Sequence, residues 1–220
     1  MIELVVARYA EDLAWLRNIP PQIRATVYDK NPAAPHPDSI GLPNVGREAH
    51  SYLHHIVARY QTLAPMTVFC QGKPFDHAFD FRKTLRELVQ NPDSTPDFRW
   101  LGHIIDTDSS DGALFKIWSK NPDGGGLDIT AFHRALFGSE GPGEYQFYLG
   151  GQFVARREGI RRRPLDFWHR ALQISMEFPD AAHCYERTWD RVFGVVGVDV
   201  ALLNGQKTRY LKPVRKLAPP

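Results

Sequence analysis

The chain has few cysteines, no long apolar run and little net charge. Cys70 and Cys184 are the only cysteines among 220 residues, a count that excludes a disulfide scaffold and a metal site built from cysteines alone. No apolar stretch approaches the roughly 20 residues that a membrane helix needs. Residues 2–7 read as a strand and lack the basic start and cleavage site of a secretory signal. These absences predict reduced thiols, no membrane span and a cytoplasmic location.

Length and composition predict one domain. With 220 residues and 43% hydrophobic content, the chain can close a single well-buried core. We therefore expect one domain over residues 1–220, in which residues 205–220 form a basic C-terminal arm. No internal repeat is visible, so a solenoid is not predicted.

Positive charge is unevenly distributed, although the formal net charge is only +2. Clustered arginines are the electrostatic footprint of phosphate-rich partners, and they are also common on solvated faces. A second basic stretch lies in residues 207–216. The first and denser stretch, which we expect to form a surface for an anionic ligand, contains Arg156, Arg157, Arg161, Arg162 and Arg163.

Strand-like and helix-like patterns alternate along the chain. Residues 2–7, 24–28 and 67–70 are apolar and β-prone, whereas apolar residues recur at helical spacing from 49 to 60. A proline-rich stretch, residues 31–43, separates the second strand from this helix and must be a loop. The alternation predicts an α/β fold, a three-layer sandwich with a mostly parallel central sheet.

Later segments extend this pattern. Helices are predicted over residues 81–90 and 182–193, and another is predicted to start at Pro164. Residues 146–155 are β-prone but interrupted by two glycines, and residues 106–126 read as surface loops because they are rich in Asp, Ser, Asn and Gly.

The ends of the predicted parallel strands indicate where a site would lie. In open parallel sheets the ligand binds outside the carboxyl ends of the strands, which places Gln71, Asp76 and His77 at the expected position. Arg47, Glu48 and His50 crowd the first turn of the helix that precedes that strand. We therefore expect these side chains to meet in one cleft.

Two arrangements have metal-like spacing. His50 and His54 are one helical turn apart, which allows two imidazoles to share a metal, but no third ligand is specified and cleft lining is the commoner role. Asp106 and Asp108 have the spacing of a carboxylate pair for a divalent cation, and the same spacing is common in turns. We therefore predict no metal in the site.

Five segments of the chain carry a family resemblance. They are residues 3–9 with Asp12 and Trp15, residues 42–50, residues 68–72 with Pro74 and His77, residues 151–155, and residues 186–189 with Phe193 and Gly194. Taken in order, they resemble a mainly fungal family catalogued as a domain of unknown function. The resemblance implies a glycosyltransferase-A-like, Rossmann-like fold. Some fungal members of that family are arginine-containing cyclodipeptide synthases, which implies a use of aminoacyl-tRNA.

One departure bears on the choice of activity. In a sugar transferase of this fold an acidic pair should end the central strand, whereas this chain has Gln71 and Gly72 there. Asp106 and Asp108 could replace that pair from further along the chain. The arginine-rich stretch is more cationic than packing requires, which favours an RNA partner.

The resulting hypothesis is a single catalytic domain that acts as a tRNA-dependent cyclodipeptide synthase. It would join arginine from arginyl-tRNA to a second aminoacyl group and cyclise the product to a diketopiperazine, with no cofactor. Glu48, His50 and His77 are the predicted proton-transfer groups, and Arg47 and Gln71 the predicted donors to a carbonyl. The predicted substrate-binding residues are Asp76, Glu186, Gln152 and Asn44, and the predicted tRNA-binding residues are Arg156, Arg157, Arg161, Arg162 and Arg163.

Two alternatives remain open at this point. A nucleotide-sugar-dependent glycosyltransferase would use Asp106 and Asp108 to hold a cation against the diphosphate. A non-catalytic RNA-binding module would use the arginine-rich stretch and leave Glu48 and Glu186 without a chemical role. The sequence indicates no oligomeric state.

Overall fold

The computed structural model describes residues 1–119 and 125–212. Within these ranges none of the helices combines the length and apolarity that crossing a bilayer requires. The strands are β1 (Ile2–Arg8), β2 (Ile23–Asp29), β3 (Ile40–Gly41), β4 (Met66–Gln71), β5 (Phe98–Trp100), β6 (Ile104–Ser109), β7 (Glu144–Tyr148), β8 (Phe153–Arg156) and β9 (Thr208–Tyr210). The α-helices are α1 (Arg47–Arg59), α2 (Phe81–Gln90), α3 (Ala113–Trp118), α4 (Ile129–Phe137), α5 (Arg157–Arg161), α6 (Leu165–Glu177) and α7 (Ala181–Val192).

The larger sheet has six strands in the order β3-β2-β1-β4-β8-β5. β1 pairs in parallel with β2 and β4, and β2 pairs in parallel with β3. β8 is antiparallel to both of its neighbours, β4 and β5, so that the other five strands share one direction. The predicted α/β fold with a mostly parallel central sheet is confirmed.

The central strands are apolar throughout because both faces of the sheet are covered. Val5 and Val6 point to opposite faces of β1 and both are fully buried. On one face Phe69 packs with Tyr52 of α1, within the core that also holds α6 and α7. On the other face, residues such as Trp15 and Phe81 form a second core. The sheet thus separates two apolar layers, as a sandwich requires.

A smaller antiparallel sheet has the order β7-β6-β9. Its middle strand, β6, contains Asp106, Thr107 and Asp108, and the interpretation of residues 106–109 as a loop is therefore wrong. Asp and Ser are turn formers when their side chains serve nearby backbone. Here both aspartates also have partners far along the chain, in α7 and β9. The predicted loop also contains α3, and its residues 120–124 lie outside the described part of the chain.

The prediction of a C-terminal arm is corrected in part. Thr208 and its neighbours form β9, which pairs antiparallel with β6. Residues 213–220 of the predicted arm lie outside the described residues. The described end of the chain is therefore part of the smaller sheet.

Candidate active site

The carboxyl ends of β1 and β4 open into a polar cleft. The chain leaves β1 towards β2 on one side and later returns to β4 on the other, so the strand order reverses at this point, where open parallel sheets bind ligands. The cleft has a smaller part of about 350 Å3 and a larger part of about 590 Å3, and Arg47, Glu48 and Gln71 line both. Further residues of the smaller part include Arg8, Glu11, Lys30 and Asn44. Further residues of the larger part include His77, Asp106, His183, Glu186 and Arg187.

An unusual backbone turn at the start of α1 directs Arg47 and Glu48 into the cleft. Gly46 and Arg47 both have positive φ, 58° and 47°. Only glycine fits at position 46, because a Cβ there would lie 2.2 Å from the carbonyl oxygen of Ser175. At Arg47 a left-handed conformation is strained by about 1–3 kcal/mol, a cost that the surrounding structure must offset.

Lys30 stabilises this turn through hydrogen bonds to its backbone. Its ammonium donates hydrogen bonds to the carbonyl oxygens of Val45 and Arg47. Lys30 is buried, and burial lowers its pKa to about 8, although the nearby Glu48 raises it. Lys30 was not among the predicted site residues. The available signal was a lysine two residues after the strand predicted at residues 24–28, at the carboxyl end of the sheet.

Glu48 is a buried carboxylate in contact with other charges of the cleft. Its side chain is 11% exposed and lies 3.8 Å from Nε of Arg47. Burial raises the pKa of Glu48, Arg47 lowers it and Glu186 raises it. A carboxyl group with a raised pKa is better matched to proton transfer near neutral pH than an ordinary one.

Gly150 and Gly151 bring Glu48, His77 and Glu186 together. The backbone amide of Gly150 donates to Oε1 of Glu186 at 2.7 Å. With φ at 96°, a Cβ on Gly150 would lie 2.7 Å from ring atoms of His77. A Cβ on Gly151 would lie 3.6 Å from Oε1 of Glu48 and 4.0 Å from Cγ of Glu186. The two glycines therefore provide the space in which these three side chains meet.

Arg187 forms a buried ion pair beside the cleft. Its Nε donates to Oδ2 of Asp108 at 2.7 Å, and both side chains are at most 5% exposed. Its Nη1 donates to the carbonyl of His183 and lies 3.5 Å from Oε2 of Glu186. No local sequence pattern indicates this role of Arg187, because the partner is 79 residues away along the chain.

Asp106 and Asp108 do not fit the predicted role of a cation-binding pair. Oδ2 of Asp108 accepts from Arg187, and its Oδ1 accepts from the backbone amide of Leu114 at 2.8 Å. Asp106 accepts a hydrogen bond from the hydroxyl of Thr208. Across residues 1–119 and 125–212, no group of three or more His, Cys, Asp or Glu side chains is arranged to hold a metal ion.

The structure brings most of the predicted site residues together. Gln71 ends β4 at the centre of the cleft, and Asn44 is exposed at the edge of its smaller part. Arg47 lies at the rim with a 64% exposed side chain, and its Nη1 is 3.3 Å from Nε2 of His183. The predicted residues that line the cleft are Asn44, Arg47, Glu48, Gln71, His77 and Glu186.

Three predicted site residues lie elsewhere. His50 is 3% exposed on the buried side of α1. Burial lowers its pKa to about 4, so it is a neutral core histidine. Asp76 is exposed and pairs with Lys73 at 3.1 Å. Gln152 is fully buried and donates its amide to the carbonyl of Pro74. None of the three lines the cleft, and the roles assigned to them are withdrawn.

The arginine-rich stretch does not border the cleft. Arg156 pairs with Met66, the first residue of β4, at the end of the sheet opposite to Gln71. Arg161 donates to the carbonyls of Tyr60 and Gln61, just beyond the end of α1. Because α1 starts at the cleft and has 13 residues, this contact lies roughly 20 Å away. The arginine-rich stretch is therefore remote from the cleft.

These arginines also have structural partners. Arg156 donates to the carbonyls of Thr95 and Pro92, and Arg162 pairs with Asp97. Arg163 donates to the carbonyls of Arg191 and Val192, at the end of α7. Arg163 also lines a separate cavity of about 420 Å3 together with Arg170 and Arg191. Within the described chain, no carboxylate lies within ion-pairing distance of these three guanidinium groups.

The fold and site define an α/β protein with a candidate acid–base cleft at the carboxyl ends of its strands. Residues 4–95 match the model of a family described as "Protein of unknown function (DUF3431)". The resemblance to a domain-of-unknown-function family is thus confirmed for this part of the chain, which carries Lys30, Glu48, Gln71 and His77. Glu186 lies outside the matched residues. No curated protein and no solved structure matches the chain.

Proposed function

We propose that the protein is a tRNA-dependent cyclodipeptide synthase that joins arginine from arginyl-tRNA to a second aminoacyl group and cyclises the product to a diketopiperazine. The observation that carries this proposal is the meeting of a buried carboxylate, Glu48, with Gln71, His77 and Glu186 in one cleft. Such a cleft offers proton transfer and hydrogen-bond donation, which is what aminolysis of an ester needs.

The reaction is two successive acyl transfers. In the first, the amine of one aminoacyl group attacks the ester carbonyl of the other, an amide bond forms, and one tRNA leaves through its ribose oxygen. In the second, the remaining free amine attacks the remaining ester, which closes the ring and releases the second tRNA. In each step the amine loses a proton and the leaving oxygen gains one, so a single group that accepts and returns a proton serves both steps.

Glu48 is the group proposed for this proton transfer. Its raised pKa makes its carboxylate a stronger base than an exposed glutamate, and its acid form is correspondingly more populated near neutral pH. His77 lines the same part of the cleft, where Gly150 leaves room for its ring. We assign His77 as a second proton-transfer group.

Arg47 and Gln71 are proposed to stabilise the tetrahedral oxyanion. The guanidinium of Arg47 and the side-chain amide of Gln71 are donors that line both parts of the cleft. Donors fixed before the reaction stabilise developing negative charge without having to reorganise, an effect worth about 3–4 kcal/mol for one oxyanion donor.

We further propose that the sandwich is glycosyltransferase-A-like. The parallel order β3-β2-β1-β4 and the cleft at the strand ends support this assignment. A nucleotide-sugar-dependent glycosyltransferase remains the second candidate. It is less well supported for two reasons. Both carboxylate oxygens of Asp108 already accept hydrogen bonds, and the strand β4 ends in Gln71 where a cation-binding acidic pair would be expected.

The decisive experiment is product analysis with aminoacyl-tRNA. Purified protein is incubated with arginyl-tRNA and mixed aminoacyl-tRNAs, and products are identified by mass spectrometry. We expect an arginine-containing diketopiperazine that Glu48→Gln reduces by about 100-fold or more. Glu87→Gln is the matched control, because Glu87 is exposed on α2, where it pairs with Lys83. No such product from the wild-type protein, or manganese-dependent binding of a nucleoside diphosphate sugar, contradicts the proposal.

A further inference from the structure

Asp106 has a buried oxygen without a partner. The residue is fully buried and lines the larger part of the cleft. Its Oδ1 accepts from Thr208, whereas its Oδ2 has no hydrogen-bond partner in the described chain. A buried carboxylate oxygen left unpaired costs at least about 1–3 kcal/mol, so such an atom in a native protein calls for an explanation.

The charge around Asp106 is predominantly negative. Burial raises the pKa of Asp106, and the nearby Glu186 raises it further, while Thr208 and Arg187 lower it. The larger part of the cleft is lined by two arginines, but Arg187 is already paired with Asp108, and Arg47 lies at the exposed rim. Four carboxylates line the same part, namely Glu48, Asp106, Asp180 and Glu186.

An apolar wall accompanies these carboxylates. Leu114 and Phe115 of α3 and Leu149 after β7 line the same part of the cleft. An aliphatic stem would pack against this wall while a cationic head reaches the acidic side, as long basic side chains do at protein surfaces. The size, the charge and the apolar wall thus indicate one chemical class of ligand.

We propose that Asp106, together with Glu186, forms the subsite that selects a cationic side chain, a guanidinium or ammonium group on an aliphatic stem. This inference rests on the proposed function and adds to it the residue that determines specificity. Oδ2 of Asp106 accepts from the cation. Oε2 of Glu186, which lies 3.5 Å from Nη1 of Arg187, provides a second acceptor, because Gly150 occupies Oε1. The cation then satisfies the unpaired buried oxygen.

Calorimetry with small esters tests the subsite without tRNA. L-arginine methyl ester presents the cation, L-citrulline methyl ester is its neutral counterpart of similar shape, and L-lysine methyl ester separates a guanidinium from an ammonium preference. We expect the wild-type protein to bind the better cationic ester at least about tenfold more tightly than the citrulline ester. Asp106→Asn should remove this difference, whereas the exposed control Asp93→Asn should keep it.

Folding of the variant is monitored by thermal melting. Asparagine still accepts from Thr208 and removes a buried charge, so we expect a melting temperature no lower than that of the wild type. Equal binding of the cationic and citrulline esters by the wild-type protein overturns the inference, whatever the behaviour of the variant. An undiminished preference for the cationic ester in Asp106→Asn also overturns it.

The outcome separates this inference from the proposed function. A preference for the cationic ester that depends on Asp106, without any diketopiperazine product, would support the subsite and overturn the synthase proposal. A diketopiperazine product with an unchanged preference in Asp106→Asn would support the synthase proposal and overturn the subsite.

Discussion

The backbone amide of Gly150 donates a 2.7 Å hydrogen bond to Glu186, while the imidazole of His77 fills the space where a side chain of residue 150 would lie. One glycine between β7 and β8 thus positions groups from two other segments of the chain. Residues 149–152, which link the two sheets, therefore also help to position the side chains of the cleft.

Gly150→Ala should impair activity beyond its effect on stability. The added methyl group would meet the His77 ring at 2.7 Å and would also strain the positive φ of 96°. We expect turnover to fall by about tenfold to 100-fold, since small displacements of reacting groups have effects of this size. Gly205→Ala is the matched control, because Gly205 also has positive φ but nothing lies within 4 Å of its added Cβ. Equal turnover in the two variants would remove His77 and Glu186 from the proposed chemistry.

Glu48→Gln should stabilise the protein at neutral pH. Folding raises the pKa of Glu48, so the contribution of this residue to stability is complete below the unfolded pKa and is lost as the pH rises through the folded pKa. Glutamine does not ionise, so the variant avoids this loss. Its free energy of unfolding should exceed that of the wild type by about 1.4 kcal/mol for each unit by which folding raises the pKa of Glu48. Each kcal/mol raises the melting temperature by about 2–4 °C.

Thermal melts from pH 4 to pH 8 measure this effect. The difference between Glu48→Gln and the wild type should be near zero at the acidic end and should grow as the pH rises. Glu87→Gln, at an exposed position on α2, should show no such growth. A variant that is less stable than the wild type at pH 8 would contradict the burial of the Glu48 carboxylate.

Arg187→Met should be strongly destabilising, because it leaves Asp108 as an unpaired buried charge. Breaking a buried pair in this way costs about 3–5 kcal/mol. The double variant Asp108→Asn with Arg187→Met should recover much of that stability, since asparagine still accepts from the amide of Leu114 and carries no charge. Arg134→Met, which breaks an exposed pair with Glu140, should cost less than about 1 kcal/mol. Denaturant unfolding of the four proteins measures the differences.

Arg161→Gln and Arg162→Gln should weaken tRNA binding and reduce its salt dependence. Both arginines are exposed at the end of the sheet opposite to the cleft, where the body of a tRNA would extend if its aminoacyl end lay in the cleft. Each lost phosphate contact should lower the slope of log K against log salt by about 0.9. Lys83→Gln on α2 is the control for a general loss of charge. Unchanged slopes in both arginine variants would exclude these residues from the RNA contact.

The sequence predicts the apolar framework of this protein well. β1, β4 and α2 are apolar or amphipathic segments whose periodicity directly reflects burial, and their predicted bounds differ from the observed ones by at most two residues. β6 was missed for a physical reason. Its polar residues are buried against Arg187 and Thr208, and no local pattern indicates partners that lie 79 and 102 residues away.

The site residues likewise divide into those whose position follows from local sequence and those whose position depends on distant parts of the fold. Gln71 ends the apolar strand β4 and His77 follows it, while Arg47 and Glu48 begin the helix that precedes this strand. The rule for parallel sheets therefore brings all four into one cleft. His50 was misplaced because a helical turn puts it on the buried side of α1, where only a neutral ring is tolerated. The position of the arginine stretch was not predictable from local sequence, because it depends on β8 being antiparallel to β4, which carries residue 156 to the far end of the sheet.

The pairing of β9 with β6 has a practical consequence for anyone preparing this protein. The hydroxyl of Thr208 is bonded to Asp106, so a recombinant chain shortened to residue 206 would lose an entire edge of the smaller sheet and expose a carboxylate deep in the cleft. An affinity tag is for this reason better joined to the amino terminus, where β1 begins at the end of the sheet remote from Gln71.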